Sequence, residues 1–146
     1  MKFVTGLLSV FLLVSGMLVH AGGFEVEGPW IREAPPGMKM LSGYMRLENE
    51  KDAALNLAGA TSSDFGSIDI HHTVFKDGLA SMVLLQSLKI PAFSTVKFEP
   101  NGLHLMLANP KRELKAGDKV RITLKFSNSR RLKVVFPVRK SGAAPR

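Results

Sequence analysis

The segment KVRITLKFS, residues 119–127, alternates apolar and polar side chains with the clearest period of two in the chain. Val120, Ile122, Leu124 and Phe126 fall at every second position, so they share one face of an extended strand. The pattern predicts a β-strand with one buried face.

Eight further segments are short, apolar and bounded by turn-forming residues. They read FEVEGPWIRE, SGYMRLEN, AALNLAGA, SIDIHHTVF, LASMVLLQS, STVKFEP, LHLMLAN and LKVVFPV. We find no pattern typical of a long amphipathic helix, no internal repeat and no linker. The spacing of the strands therefore predicts an all-β fold, an antiparallel Greek-key β-sandwich or barrel.

The chain has 146 residues, enough for one domain with a sizeable core. Its N-terminus has a lysine, an apolar run over residues 3–19 and a Val-His-Ala triplet that ends at Ala21. This arrangement predicts an exported protein with a signal peptide over residues 1–21, cleaved near Ala21; the alternative is an uncleaved membrane anchor. We expect a folded domain over residues 22–140 and a loose tail over residues 141–146.

The composition is basic, with 20 Lys and Arg against 12 Asp and Glu and a formal net charge of +8. Such a surface suits nucleic acid, anionic lipid or an acidic protein. Nucleic acid is the least favoured, because the chain is predicted to be exported and its basic residues are dispersed along the sequence. The chain has no cysteine, which excludes thiolate nucleophiles, cysteine metal ligands and a lipoprotein signal.

Two histidine and methionine pairs attract attention within the predicted strands. In GLHLMLANP, residues 102–110, three leucines share one face, and His104 and Met106 share the other. In the second region Asp77-Gly78 predicts a two-residue hairpin turn that pairs Thr73 with Met82 and His71 with Leu84. His71 and Met82 would then lie on a common face, diagonal to each other.

Two imidazoles and two thioethers form a soft, neutral donor set, which fits Cu(I) better than zinc, calcium or magnesium. The alternative is that the methionines fill the core and the histidines are ordinary strand residues. The pairing of one His with one Met on each of two strand faces strengthens the case for a metal site, and at this point both interpretations stay open.

The order His71, Met82, His104 and Met106, with 10, 21 and 1 intervening residues, resembles the periplasmic copper chaperone A family, the PCuAC-type copper chaperones. The segments WIREAPPGMKMLSGYMRLEN and KIPAFSTVKFEPNGLHLMLANPKRELKAGDKVRITLKF resemble it too, over about residues 24–138. The resemblance implies a periplasmic, cupredoxin-like β-sandwich that binds one Cu(I) per chain through these four residues. It also implies delivery of copper for the CuA centre of cytochrome c oxidase, to subunit II or to a copper-relay assembly factor.

One departure concerns the position two residues after the first histidine, where many family members have methionine and this chain has Thr73. Met38 or Met40 could compensate, or could cap the sandwich. No segment has the context of a catalytic nucleophile, so we expect no enzyme activity. We expect a monomer without nucleic-acid binding or stable membrane insertion; the alternative function is a metal-free adhesion or scaffold module of the envelope.

Overall fold

The computed structural model describes residues 18–142, and regular structure in this range is entirely β. The eleven strands are β1 (Leu18–Ala21), β2 (Phe24–Arg32), β3 (Met40–Asn49), β4 (Leu55–Thr61), β5 (Phe65–Lys76), β6 (Leu79–Leu85), β7 (Leu88–Ile90), β8 (Ser94–Phe98), β9 (Leu103–Pro110), β10 (Lys119–Phe126) and β11 (Arg131–Arg139). Within residues 18–142 we find no helix that is long and apolar enough to cross a membrane.

All nine predicted strands are present, and β1 and β7 are short additions. Strand β1 lies inside the predicted signal peptide, and it pairs with β2 from Leu18 opposite Glu27 to Ala21 opposite Phe24. Cleavage after Ala21 would therefore remove one strand. The rest of the predicted signal peptide and residues 143–146 of the tail lie outside the described residues, so these boundaries stay predictions.

The strands follow the order β6-β5-β9-β8-β3-β2-β11-β10-β4-β7, with β1 paired to β2. The sheet folds over into two layers, and buried side chains from both enclose one core. Most pairings are antiparallel, but β2 and β11 pair in parallel, as do β8 and β9. The sheet is therefore mixed rather than wholly antiparallel, because β11 joins the layers by running alongside β2 in the same direction.

The core has the alternation that the sequence predicted. Val120, Ile122 and Leu124 of β10 are fully buried, and so are Leu105 and Leu107 of β9 on the facing layer. Leu103 is only half-buried, because it lies at the start of β9 and packs against the edge of the core. Since β9 buries its leucines inside the sandwich, the alternating residues His104 and Met106 lie on the outer side of their layer.

The hairpin between β5 and β6 has the predicted register, with Lys76 opposite Leu79, Thr73 opposite Met82 and His71 opposite Leu84. Its two turn residues, Asp77 and Gly78, have φ angles of 51° and 76°. Positive φ at both central positions matches the twist of the flanking strands. The turn therefore fixes which residues of β6 stand beside His71.

We expect Gly78→Val to lower the free energy of unfolding by about 1 to 3 kcal/mol, because a β-branched residue is strained at positive φ. A side chain at Gly78 would meet no atom within 4 Å, so backbone strain is the cause of the loss. Urea unfolding measures the effect. Asp77→Asn is the control and should leave stability nearly unchanged, since Asn tolerates positive φ; equal losses in both variants would contradict the turn assignment.

Candidate metal centre

Strands β5 and β9 pair antiparallel in a register that places His71 directly opposite His104. The centroids of the two imidazole rings are 5.8 Å apart, and the rings are inclined by 45°. His104 is buried, with 4% of its surface exposed, and His71 is half-buried. The structure thus brings together two predicted ligands that are far apart in the sequence.

The two methionines flank this histidine pair on the same face of the sheet. Met106 follows His104 by two residues and lies between Asp69 of β5 and Ser42 of β3. Met82 lies diagonally across the hairpin from His71, and 59% of its surface is exposed. All four candidate ligands therefore share one face, with the histidines central and Met82 the most accessible.

The protonation of His104 follows from one hydrogen bond. Its Nδ1 lies 3.0 Å from the carbonyl oxygen of Gly102, and a carbonyl can only accept, so Nδ1 carries the hydrogen and donates it. In a neutral ring the lone pair is then on Nε2, which is buried and has no hydrogen-bond partner. The carbonyl of Gly102 is itself held by the backbone N–H of Thr73, at 3.1 Å.

His71 also has a buried ring nitrogen without a partner, its Nδ1. A buried polar atom left unpaired costs free energy and requires an explanation. Two such nitrogens on facing rings would both be satisfied by a single cation. The hydrogen bond from Nδ1 of His104 to a backbone carbonyl is the arrangement by which proteins orient an imidazole for a metal.

The residues around the rings select the type of cation. Within residues 18–142 no three His, Cys, Asp or Glu side chains gather closely enough to hold a metal ion. The donors that remain near the rings are the thioethers of Met82 and Met106. Neutral, polarisable sulfur together with imidazole suits Cu(I), a soft monovalent ion.

Other candidates considered in the sequence lie away from the ring pair. Met40 is opposite Ala108, which is two residues beyond Met106 on β9. Met40 is therefore farther from His71 along the sheet than Met106 is. Met38 lines a cleft between residues 33–39 and 109–115. His72 is exposed and alternates to the other side of β5.

Sequence reasoning missed the Gly102 carbonyl, because a backbone group leaves no signal in residue type. It also missed a cluster on β2 and β3, where the ring centroids of Trp30 and Tyr44 are 4.8 Å apart. The guanidinium of Arg32 lies 5.5 Å from the Tyr44 ring and 6.0 Å from the Trp30 ring. Tyr44 is two residues after Ser42 on β3, so both lie on the same face. The cluster therefore lies on the face of the sheet that carries Met106.

A family model described as "Putative lipoprotein LpqE-like" matches residues 24–138. The chain belongs to this family. The match spans the same residues as the resemblance to PCuAC-type copper chaperones, and LpqE-like proteins are a PCuAC-type family, so that prediction is confirmed. A curated relative, "Putative lipoprotein Lxx21020" of Leifsonia xyli subsp. xyli, is 33% identical over 96% of this chain and 90% of its own length.

Solved structures agree with the family assignment. The solution structure of the Cu(I) form of DR1885 from Deinococcus radiodurans is 34% identical, with a TM-score of 0.66 over 82% of this chain and 79% of that one. The apo PCuAC domain of PmoF1 is 26% identical, with a TM-score of 0.71 over 86% of this chain and 100% of that one. The predicted cupredoxin-like β-sandwich is thereby confirmed.

We expect nitrogen-15 NMR of the copper-free protein to show His104 as the Nδ1–H tautomer, because Nδ1 donates to Gly102. His72 is the internal control, since it is exposed and on the other side of the strand. An Nε2–H form for His104 would contradict the orientation of its free lone pair into the site.

Proposed function

We propose that this protein is a copper chaperone that binds one Cu(I) per chain and passes it to an acceptor protein. The observation that carries the proposal is the pair of facing imidazoles, each with a buried nitrogen that lacks a partner. Membership of a PCuAC-type family and the similarity to the Cu(I) form of DR1885 support it. The family is one of copper-binding domains rather than enzymes, which supports a non-catalytic role.

The four side chains have different parts in holding the ion. His104 is held in place by its hydrogen bond to Gly102, so its Nε2 is a preorganised donor. His71 is the second nitrogen donor, and Met106 is beside it on the same face. Met82 is the donor with the greatest freedom, because it is exposed and lies on β6 at the edge of the sheet.

An exposed thioether suits a protein that must release its cargo. Neutral ligands give up Cu(I) more readily than thiolates, and an acceptor can approach from the open side at Met82. Copper is thus cargo here, held by donors that a competing set on the acceptor can replace one at a time.

The surface around the site suits contact with another protein. Phe75 and Leu84 lie on the same face of the hairpin as His71, with 62% and 51% of their surfaces exposed. Exposed apolar side chains beside a transfer site favour docking of a partner. We propose that the acceptor is an envelope protein that receives copper for the assembly of a copper centre. The CuA-bearing subunit of cytochrome c oxidase is the first candidate.

The metal-free adhesion or scaffold function remains the second candidate from the sequence. That function does not explain why two imidazole nitrogens on one face of the sheet are buried without a hydrogen-bond partner. In an adhesion module such nitrogens would be hydrogen-bonded or exposed to solvent. The export expected from the N-terminal sequence fits both functions. Periplasmic location is part of the present proposal, supported by relatives described as lipoproteins.

The ligand assignment predicts that His71→Asn, His104→Asn, Met82→Leu and Met106→Leu each weaken Cu(I) binding. We expect about a tenfold loss or more, since each change removes one donor, and the Met→Leu changes also nearly keep the volume of the side chain. Competition against a coloured Cu(I) chelator measures the affinity.

His72→Asn and Met38→Leu are the matched controls, because they change the same residue types away from the ring pair. Both should bind Cu(I) as the unchanged protein does. Undiminished copper retention by the four site variants would remove these residues from the site, and losses in the two controls would point to a different one.

The docking assignment predicts that Leu84→Ser slows copper transfer to the CuA-bearing acceptor domain by about tenfold, because burial of a leucine contributes about 1.5 to 3 kcal/mol. Cu(I) affinity should stay unchanged. Transfer is followed as the copper content of the acceptor after separation. Leu79→Ser is the control: Leu79 is 75% exposed but lies on the other face of the hairpin. Equal slowing by both changes would argue against docking at this face.

A further inference from the structure

The cationic residues of the last two strands are gathered on one side of the molecule. Residues 119–142 contain eight Lys and Arg and no Asp or Glu. On β10 and β11 the cations alternate with buried residues such as Val120 and Val134, so they lie on the outer side of their layer. These strands have six cations, and we call five of them, all but Arg139 at the end of β11, the basic face: Lys119, Arg121, Lys125, Arg131 and Lys133.

The register keeps like charges close together within the basic face. Lys125 lies directly opposite Arg131. Lys133 lies opposite Thr123, and hence diagonal to both Arg121 and Lys125. Like charges in directly opposite positions destabilise a sheet. The fold therefore carries an electrostatic cost at this place, and an external negative charge would relieve it.

Acidic side chains do not compensate this charge. Three cations elsewhere form ion pairs: Arg46 with Glu27 at 2.9 Å, Lys115 with Glu113 at 3.6 Å, and Arg112 with Asp64 at 2.9 Å. Within residues 18–142 no member of the basic face forms a salt bridge. Strands β4 and β7, which complete this layer, also have no acidic residue and add Lys89.

The chemistry of the basic face favours an extended anionic surface over a protein or nucleic acid. The aromatic residues of β10 and β11, Phe126 and Phe136, are buried, so they cannot stack on bases. None of the large exposed hydrophobic residues of the described chain lies on β4, β7, β10 or β11. Protein interfaces usually have an apolar centre, and five of the nine large exposed hydrophobic residues of the described chain lie on the hairpin of the metal site instead.

We propose that the basic face binds the surface of an anionic phospholipid membrane. Lysine and arginine side chains lying along a sheet meet many headgroups at once without a pocket for any one of them. The face with the four candidate copper ligands belongs to the other layer of the sandwich. The protein would therefore rest on the bilayer with the histidine pair turned away from it. This orientation leaves the site open to an acceptor while the protein stays at the membrane.

The test compares two full-length variants that lose the same charge. In the first the basic face is changed by Lys119→Gln, Arg121→Gln, Lys125→Gln, Arg131→Gln and Lys133→Gln. In the second five lysines outside it are changed by Lys39→Gln, Lys51→Gln, Lys76→Gln, Lys97→Gln and Lys111→Gln. Both have the same N-terminus as the unchanged protein, so any contribution of that segment to vesicle binding is common to all three.

Sedimentation with vesicles of phosphatidylcholine containing about one third phosphatidylglycerol measures binding. We expect the first variant to bind at least about tenfold more weakly and the second to change by less than about threefold. Binding of the unchanged protein should fall as salt rises from about 0.02 to 0.3 M, and should be weaker on phosphatidylcholine alone than on the anionic vesicles. Equal losses in both variants, or binding independent of lipid charge, would overturn the proposal.

Two further measurements keep the outcome clear. Polyglutamate or single-stranded RNA that displaces the protein from vesicles at equal charge concentration would overturn the membrane assignment in favour of that polyanion. Lys133→Glu is a single change at an exposed position, and it also should weaken vesicle binding. It tests the basic face even where the variant with five substitutions folds poorly. Cu(I) retention is measured on the same samples and should be unchanged, so failure of the copper function and failure of membrane binding give different results.

Discussion

The antiparallel pairing of β5 with β9 determines the candidate metal centre. Ile68 and Ile70 of β5 and Leu105 and Leu107 of β9 are buried in the common core. Because side chains alternate along a strand, burial of these four fixes the residues that lie on the opposite face. A slip of one residue would move His104 into the core and Leu105 out of it. The hydrophobic core thus holds the two imidazoles in register, with no contribution from the metal.

Local sequence was sufficient for the parts of the site that lie within one strand or one hairpin. The alternation of β9 placed His104 and Met106 on one face, and the Asp77-Gly78 turn placed Met82 diagonal to His71. The pairing of β5 with β9 could not be derived in this way, because it depends on how distant segments share a core. The tautomer of His104 was equally hidden, since it depends on a backbone carbonyl.

The same limit explains what was missed in the fold and in the charge distribution. Strand β7 has three residues and no alternation to detect, and the parallel contact of β2 with β11 arises only when the sheet folds over. The basic residues look dispersed when they are read in order. On the paired strands β10 and β11, however, the basic residues stand at alternating positions, so they lie on one side of the sandwich. A net charge of +8 gives only the excess of cationic over anionic residues, and strand parity says where the cations lie.

The pairing of His71 with His104 joins residues that are 33 positions apart, 104 minus 71, and lie on strands whose contact requires the whole layer to form. In an unfolded chain the two histidines are therefore independent, weak donors separated by a long loop, and closing that loop carries an entropic cost. Only the folded protein offers both nitrogens at once. A chain that crosses a membrane unfolded would travel without copper and acquire its cargo after folding, so the completed fold acts as a checkpoint on loading.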